Sequence, residues 1–460
     1  MAAVLVVAAL LRLAVWIAYW PILFFDDSSD YVHIAMDGSP VTFAPTPHPS
    51  GYPLLIEVLT GGFRSLAALS AFQHLAGLAA GVLVYSLLLR LEVSRKVAVV
   101  AAAVVLLDLW LIALEQHLAT ETTFLLMTTG SAYLAVFRRS PGGIATSGAL
   151  LGLAATVRPA AVFAIPVWLA YVLWAGMGRR AFVAGLVAVV VPVLGYSLIH
   201  DLERGWFGLT EADGWVLYGR TAAFADCRGV QPPPASRPLC LGARGARLSN
   251  PVEYVFSPRS PAWAVFGPIG QGTPEAQRRT NTLLRDFALA AIRDHPRVYA
   301  REVADGTLVL FLPWATSHPP AELPDASWTF GAKAALEQRF PEYETPPPSD
   351  VLLAIQKVAH TPTWLMGLLV LISVTALALS AARRLRGREP LAHRREVFLL
   401  SGMALAVLVG SVATSNSDNR FLLTGVPLIV CAGVLAASGL RQDRMRRRAS
   451  DSAGTTWAGS

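Results

Sequence analysis

The densest group of ionisable side chains in this 460-residue sequence is Phe25-Asp26-Asp27-Ser28-Ser29-Asp30-Tyr31-Val32-His33-Ile34-Ala35. Asp26, Asp27 and Asp30 are close enough to repel one another, and an apolar surface beside them raises the pKa of at least one. A carboxylate tuned that way suits a general base, which must sit within hydrogen-bond reach of the proton it takes. The same residues also fit a solvated loop in which Asp26 or Asp27 caps a helix containing Tyr31 and Ala35. A second stretch, His48-Pro49-Ser50-Gly51-Tyr52-Pro53-Leu54-Leu55, reads as a turn followed by a short helix lying in a membrane interface. In a third, Glu115-Gln116-His117-Leu118-Ala119-Thr120-Glu121, the pair Glu115/His117 or Glu121 can bind a divalent metal ion or orient a substrate hydroxyl. Capping of the following helix is the simpler use of that cluster. Arg158 and Arg420 can each clamp a phosphate bidentately. The competing readings are a local pair with Asp418 for Arg420, and snorkelling to the interface for Arg158.

The elements that must position these groups follow from composition. The chain is 54% hydrophobic and only 15% charged, with a mean hydropathy of +0.49, against about 25% charged residues in ordinary globular domains. Disorder and a nucleic-acid module are excluded, because the net charge of +7 is scattered in short clusters between apolar runs. A bilayer core needs about 20 apolar residues per helix. Runs of that kind lie near 2–25, 64–89, 97–114, 118–137, 143–157, 159–176, 181–200, 361–382, 397–415 and 421–439. The expected fold is therefore an all-α polytopic membrane protein of about ten transmembrane helices, with one extracytoplasmic mixed domain inserted before the last three.

The arginines test that count. If the N-terminus is cytoplasmic, every strongly basic short loop falls on one side: Arg90/Arg95/Lys96, Arg138/Arg139, Arg179/Arg180, the group from Arg383 to Arg395, and the tail from Arg441. Both termini are then cytoplasmic. The acids, histidines and single arginines, Asp27, His48, Glu121, Arg158 and Arg420 among them, gather at the outer ends. The first run lacks a basic start and a small-residue cleavage site, so it reads as a retained helix rather than a signal peptide. Arg12 within it reads as an interior contact or a snorkelling residue. The expected parts are a transmembrane module at 1–200 carrying the loop 26–62, an extracytoplasmic domain at 201–360, transmembrane helices at 361–440 and a basic tail at 441–460. Cys227 and Cys240 both fall in the outer domain, where an oxidising compartment favours a disulfide. The heavy use of Arg, Ala, Gly and Val suggests a GC-rich bacterial genome and hence a bacterial plasma membrane.

At these residues the sequence resembles the GT-C glycosyltransferases, particularly the lipid-carrier-dependent bacterial branch related to protein O-mannosyltransferases and aminoarabinose transferases. The resemblance rests on the acidic motif after the first run, the His48–Leu54 segment, the acidic turn before Glu121, Arg158-Pro159, and Asp418-Asn419-Arg420-Phe421-Leu422-Leu423. It covers residues 1–200 most strongly. The family pattern Asp-Glu-x-x-Tyr-x-x-x-Ala, whose aspartate is the catalytic base, aligns with Asp27-Ser28-Ser29-Asp30-Tyr31-Val32-His33-Ile34-Ala35. That implies Asp27 as base with Asp26 next; Ser28 stands where the family has a second acid, for which Asp30 can compensate. The resemblance also implies a polyprenyl-phosphate sugar donor held by Arg420 and Arg158, and inversion at the anomeric carbon. Tyr31, His33, His48, Glu115, His117 and Glu121 are then expected around the substrates. The acceptor is a glycan, glycolipid or protein, chosen by residues 201–350. No nucleotide-binding glycine-rich loop is present, no cofactor is required, and a divalent ion is permitted without a ligand spacing that demands one. The rival expectation is a secondary transporter or flippase for a lipid-linked sugar, which repeated halves and interrupted helices around a midplane site would mark.

Overall fold

The computed structural model describes residues 1–24, 27–36, 48–61, 65–225, 227, 232–240, 248, 250–312, 355 and 359–455, with the backbone alone at 29, 33, 36 and 447–455. Each of the ten apolar runs folds as helix. In chain order these helices are Ala2–Ala18, Ala67–Arg90, the broken pair Arg95–Leu106 and Leu109–Gln116, Glu121–Phe137, Pro141–Val157, Ala164–Trp174 after a 3-10 turn at Pro159–Phe163, Arg179–Arg204, Thr363–Leu385, Arg394–Thr414 and Val426–Thr455. Their ends are set locally. The Ser140 hydroxyl accepts from Gly143 N, with Pro141 in the first turn, where a missing N–H costs nothing. Gly205, at φ +65, stops the long helix before it in the left-handed conformation that glycine adopts freely.

Length divides the runs into two classes. Five helices are long and apolar enough to cross a membrane, and a sixth is added if the pair bent by 44° between Leu106 and Leu109 is one span. Ala2–Ala18, Glu121–Phe137 and Pro141–Val157 have 17 residues each. At about 1.5 Å per residue such helices reach roughly 26 Å, the lower edge of what a bilayer needs. Each run is helical, but among the described residues five or six helices span by length, fewer than the ten spans expected. Prolines and capping side chains cut the apolar runs short of their hydropathy limits.

Small residues let the helices approach. A Cβ at Gly148 or Gly152 of Pro141–Val157 would overlap the Gly185 or Val189 carbonyl of Arg179–Arg204, the close backbone contact that drives packing where lipid supplies no hydrophobic push. A chain of polar groups crosses the interior: Trp168 Nε1 donates to Ser147 Oγ at 2.9 Å, and Ser147 Oγ to Ser131 O at 2.7 Å.

The inserted segment has its own core. Helix Pro274–Asp294 buries Leu284, Phe287, Ala288 and Ala291 along one stripe, packed with Trp215 and Tyr218 of helix Asp213–Ala222 and with Tyr254. Asn281 ties the two helices by accepting from Gly214 N at 2.8 Å and Trp215 N at 3.2 Å. Cys227 and Cys240 are joined by a disulfide with their Cα atoms 5.5 Å apart. Where it is described the insert is helical with no strand, rather than the mixed domain expected, because its apolar residues recur with helical spacing over Pro274–Asp294. Tyr299 Oη donates to Ala413 O at 2.9 Å and docks the insert on helix Arg394–Thr414.

Candidate active site

The loop after the first helix is fixed to the turn before Glu121. Leu23 makes an isolated bridge to His117: Leu23 N donates to Gln116 O at 2.9 Å and Leu118 N donates back to Leu23 O at 2.8 Å. Ser28 Oγ then donates to Leu118 O at 2.7 Å, where helix Ser28–Met36 starts. Asp27 is held between these two anchors. The His48 turn is anchored separately: Ser50 N donates to Tyr196 Oη at 2.9 Å. Gly51 lies so close to Thr156 that a Cβ there would overlap its carbonyl. That approach brings the His48 turn beside the strand-like residue Arg158, whose φ of −146° ends the preceding helix.

The late segment enters from the far end of the sequence. Asp418 caps helix Asn419–Leu423, its Oδ1 accepting from Arg420 N at 2.9 Å, while its Oδ2 accepts from Arg420 Nε at 2.9 Å. One carboxylate thus shapes the turn and aims the guanidinium. Arg420 Nη1 then lies 3.3 Å from Asp27 Oδ2 and 3.4 Å from Glu121 Oε1. Arg158 Nη1 reaches the same Glu121 oxygen at 2.6 Å and donates to Thr120 Oγ1 at 3.3 Å, with its guanidinium carbon 5.1 Å from the centre of the Phe421 ring. On the other side of Asp27, His48 Nε2 is 3.5 Å from Asp27 Oδ1 and 3.7 Å from Asp30 Oδ2. His48 Nδ1 is 3.4 Å from Tyr31 Oη. The structure therefore brings together Asp27, Asp30, Tyr31, His48, Glu121, Arg158 and Arg420. Neither bland alternative for the arginines accounts for this: Arg420 makes its local pair and also reaches Asp27, and Arg158 turns inward to Glu121.

Exposure grades the group. The Glu121 side chain is 3% exposed, while those of Asp27 and Asp30 are 31% and 44% exposed, so Glu121 is a buried anchor for two arginines and the two aspartates are open to solvent. Burial pushes the Asp27 carboxyl up, but His48 and Arg420 outweigh it and hold the group well below the usual carboxylate range. At Asp27 the apolar surroundings do raise the carboxyl, and the opposite charges beside it win. The Tyr31 phenol is pushed up by burial and by the charges of Asp27 and Glu121, so it stays protonated as a hydrogen-bond donor.

Two expected members are occupied elsewhere. Glu115 Oε1 lies 2.7 Å from Arg12 Nη2, and its Oε2 lies 2.9 Å from His74 Nδ1. Arg12 Nη1 also donates to Leu106 O at 2.7 Å, and His74 Nε2 contacts Gln116 Oε1 at 2.8 Å. Arg12 is thus an interior contact, one of its two expected roles. His117 Nδ1 contacts Ala113 O at 2.6 Å, and burial lowers its imidazole to about 4, so at neutral pH it is an uncharged part of the frame. Asp26 and the side chain of His33 lie outside the described residues. Among the described residues no group of three or more His, Cys, Asp or Glu side chains is arranged to hold a metal ion.

The residues that sequence reasoning passed over lie in helix Ala67–Arg90. Tyr52 Oη donates to Gln73 Oε1 at 2.5 Å, and Gln73 Nε2 donates to both Glu115 O at 2.8 Å and His117 O at 2.7 Å. Tyr52 in turn packs edge-on against Tyr31, their ring centres 5.1 Å apart. A Cβ at Gly77 would occupy the place of the Glu115 carboxylate. The available signal was two adjacent polar side chains, Gln73 and His74, inside an apolar run, where such groups are costly.

No family model and no curated protein matches the sequence. Among solved structures the chain is similar to the oligosaccharyltransferase of Archaeoglobus fulgidus tethered to an acceptor peptide, at 16% identity and a TM-score of 0.39, over 95% of this chain and 49% of that one. It is also similar to ArnT from Cupriavidus metallidurans in the apo state, at 14% identity and a TM-score of 0.34, over 93% of this chain and 77% of that one. The same values hold for ArnT bound to undecaprenyl phosphate. The chain thus spans about half the length of the oligosaccharyltransferase.

Proposed function

We propose that this chain transfers a sugar from a polyprenyl-phosphate-linked donor to a hydroxyl of an extracytoplasmic acceptor, with Asp27 as general base and Arg420 and Arg158 as the phosphate clamp. The observation that carries the reading is the 3.3 Å approach of Arg420 Nη1 to Asp27 Oδ2 across 393 sequence positions. It sets a base and an arginine pair side by side, as displacement of a lipid phosphate requires. In the reaction Asp27 takes the proton of the acceptor hydroxyl while its oxygen attacks the anomeric carbon. The bond from that carbon to the phosphate oxygen breaks, and the departing polyprenyl phosphate keeps the electron pair. Attack opposite the leaving group inverts the configuration. Arginines fixed by Asp418 and Glu121 meet the charge that develops on the phosphate without reorganising.

The resting electrostatics give the site an order of events. Asp27 beside Arg420 is ionised but a weak base. A donor phosphate competes for the guanidinium, draws Arg420 away from Asp27, and so strengthens the base once the donor is seated. Asp30, His48 and Tyr31 line the face of Asp27 away from Arg420, the side left for the acceptor. The same reading places the chain in a bacterial plasma membrane, with its termini cytoplasmic and Asp27 outside. It is tested by incubating the purified protein in lipid with a radiolabelled polyprenyl-phosphate hexose and a panel of glycan, glycolipid and peptide hydroxyl acceptors. Release of polyprenyl phosphate matched by glycoside formation is expected. Passage of intact donor across vesicles without either product would favour a flippase and contradict the proposal.

A further inference from the structure

At the opposite end of the bundle from Arg420, a cavity of about 200 Å³ opens between the end of helix Thr363–Leu385, the segment 389–392 before Arg394, and residues Gly439–Arg446 of the last helix. Helix Val426–Thr455 starts three residues after Leu423, so at about 1.5 Å per residue this cavity lies roughly 20–30 Å along its axis from the Arg420 cluster. Its floor is apolar, made by Pro390, Leu391, Ala392 and Gly439, and its rim is Arg383, Arg446, Glu389 and Asp443. The rim charges pair with each other: Arg383 Nη1 lies 2.5 Å from Asp443 Oδ1, and Arg446 Nη1 lies 3.5 Å from Glu389 Oε2.

Beyond that balanced rim the positive charge has no ion-pair partner among the described residues. Arg384, Arg386, Arg388, Arg395, Arg441 and Arg444 make no ion pair among the described residues. Two guanidinium nitrogens at this end, Arg383 Nε and Arg394 Nε, are buried and make no hydrogen bond. A buried donor without an acceptor costs free energy that a ligand oxygen recovers. Orientation in the membrane accounts for arginines in loops, but it requires neither a cavity between helix ends nor donors turned inward without partners.

We propose that this cavity binds the headgroup of an anionic glycerophospholipid, its phosphate oxygens meeting Arg383, whose Nε is buried without a hydrogen bond, and Arg446, while the glycerol lies against Pro390, Leu391 and Ala392. Basic pockets between helix ends take such headgroups by the same chemistry. The site serves the membrane protein whatever reaction occurs at Asp27, so the inference does not rest on the transferase reading.

Native mass spectrometry of the full chain in neutral detergent, supplied with phosphatidylglycerol or phosphatidylcholine, tests it. Phosphatidylglycerol should be retained in preference to phosphatidylcholine. Retention should fall about fivefold in the doubly neutral variant Arg383→Gln/Asp443→Asn, which leaves no unpaired carboxylate behind. It should fall similarly in Ala392→Leu, which crowds the cavity from an exposed lining position and keeps every arginine, so that a second route remains if the polar variant is unstable. The exposed Arg386→Gln should change retention little. Equal retention of the two lipids, or a loss with Arg386→Gln as large as with the cavity variants, would reduce the cluster to a topological charge and overturn the proposal. Occupancy by millimolar inorganic phosphate in the absence of lipid binding would overturn it too, by assigning the site to a free anion.

Discussion

Two arginine–carboxylate groups draw their central acids, Glu115 and Glu121, from one short stretch of sequence and differ in exposure and in how their charges are matched. Around Glu115 each carboxylate oxygen has one partner, Arg12 on one and His74 on the other, and Arg12 and Glu115 side chains are 3% exposed. Around Arg420 one guanidinium is shared by three carboxylates, Asp27, Glu121 and Asp418, and Asp27 is 31% exposed. The inner group is closed and its partners are matched; the rim group has more acids than cations and an open side. Buried pairs whose partners are matched act as structure, and breaking one is expensive. A rim group with an open side can exchange partners, and in the proposed reaction a donor phosphate takes Arg420 from Asp27 by such an exchange.

The comparison can be broken by substitution, and the largest effect is expected at the rim. Asp27→Asn should lower the rate of sugar transfer by about 10²–10⁴, the usual contribution of a general base, with little change in melting temperature. At the inner group the loss should appear in stability: Glu115→Ala strands Arg12 in an apolar interior and should cost about 3–5 kcal/mol in a reversible unfolding measurement. The double change Arg12→Met/Glu115→Leu should recover most of that, because no buried charge is left over. Gly77→Ala should resemble Glu115→Ala in melting temperature, since the new methyl displaces the carboxylate.

Acidity sharpens the same distinction. Asp27 is held below its ordinary range by His48 and Arg420, so it binds its proton only at unusually low pH. The acid limb of kcat/KM, which reports the free enzyme, should therefore lie below the ordinary carboxylate range of about 3.9. Arg420→Gln removes a positive neighbour, raises the Asp27 pKa and should move that limb to higher pH while weakening donor binding. The frame responds in stability rather than in rate. His117 is lowered to about 4 from an unfolded value of about 6.5, so between those values the unfolded chain binds more protons than the folded one. Stability should fall as pH drops through that window, and His117→Gln should flatten the dependence in melts at pH 7 and pH 5. The smallest effect is expected from Tyr52→Phe, which leaves Gln73 Oε1 without its donor and should cost about 1–3 kcal/mol, seen as a modest fall in melting temperature.

Much of the rim was legible in the sequence because its members violate local expectation. Asp27, Glu121, Arg158 and Arg420 are charges at the ends of apolar runs, and Arg158 and Arg420 fall outside the arginine-rich loops. Their sidedness placed them together without any knowledge of distance. The inner group was misassigned for the same reason: Glu115 is six positions from Glu121 in one polar turn, and sequence spacing does not reveal that helix Leu109–Gln116 turns it towards Arg12. Gln73 and His74 were hidden in a run that reads as a simple span. That Asp27 itself is held low was not legible, because its counter-charges, His48 first and then Arg420 from 393 positions away, meet it only in the fold. The number of apolar helices followed from hydropathy; their lengths did not, since Pro141, Pro159 and the Asp108 cap decide where each stops. The helical character of the insert was visible only over the amphipathic stretch that became Pro274–Asp294.

The most direct test sets Asp27→Asn and Glu115→Gln side by side, measuring sugar transfer per folded molecule and melting temperature for each. The account predicts that Asp27→Asn abolishes transfer and melts like the parent, whereas Glu115→Gln melts lower and transfers at close to the parental rate per folded molecule. Full transfer by Asp27→Asn, or loss of transfer by Glu115→Gln with unchanged melting, would contradict it.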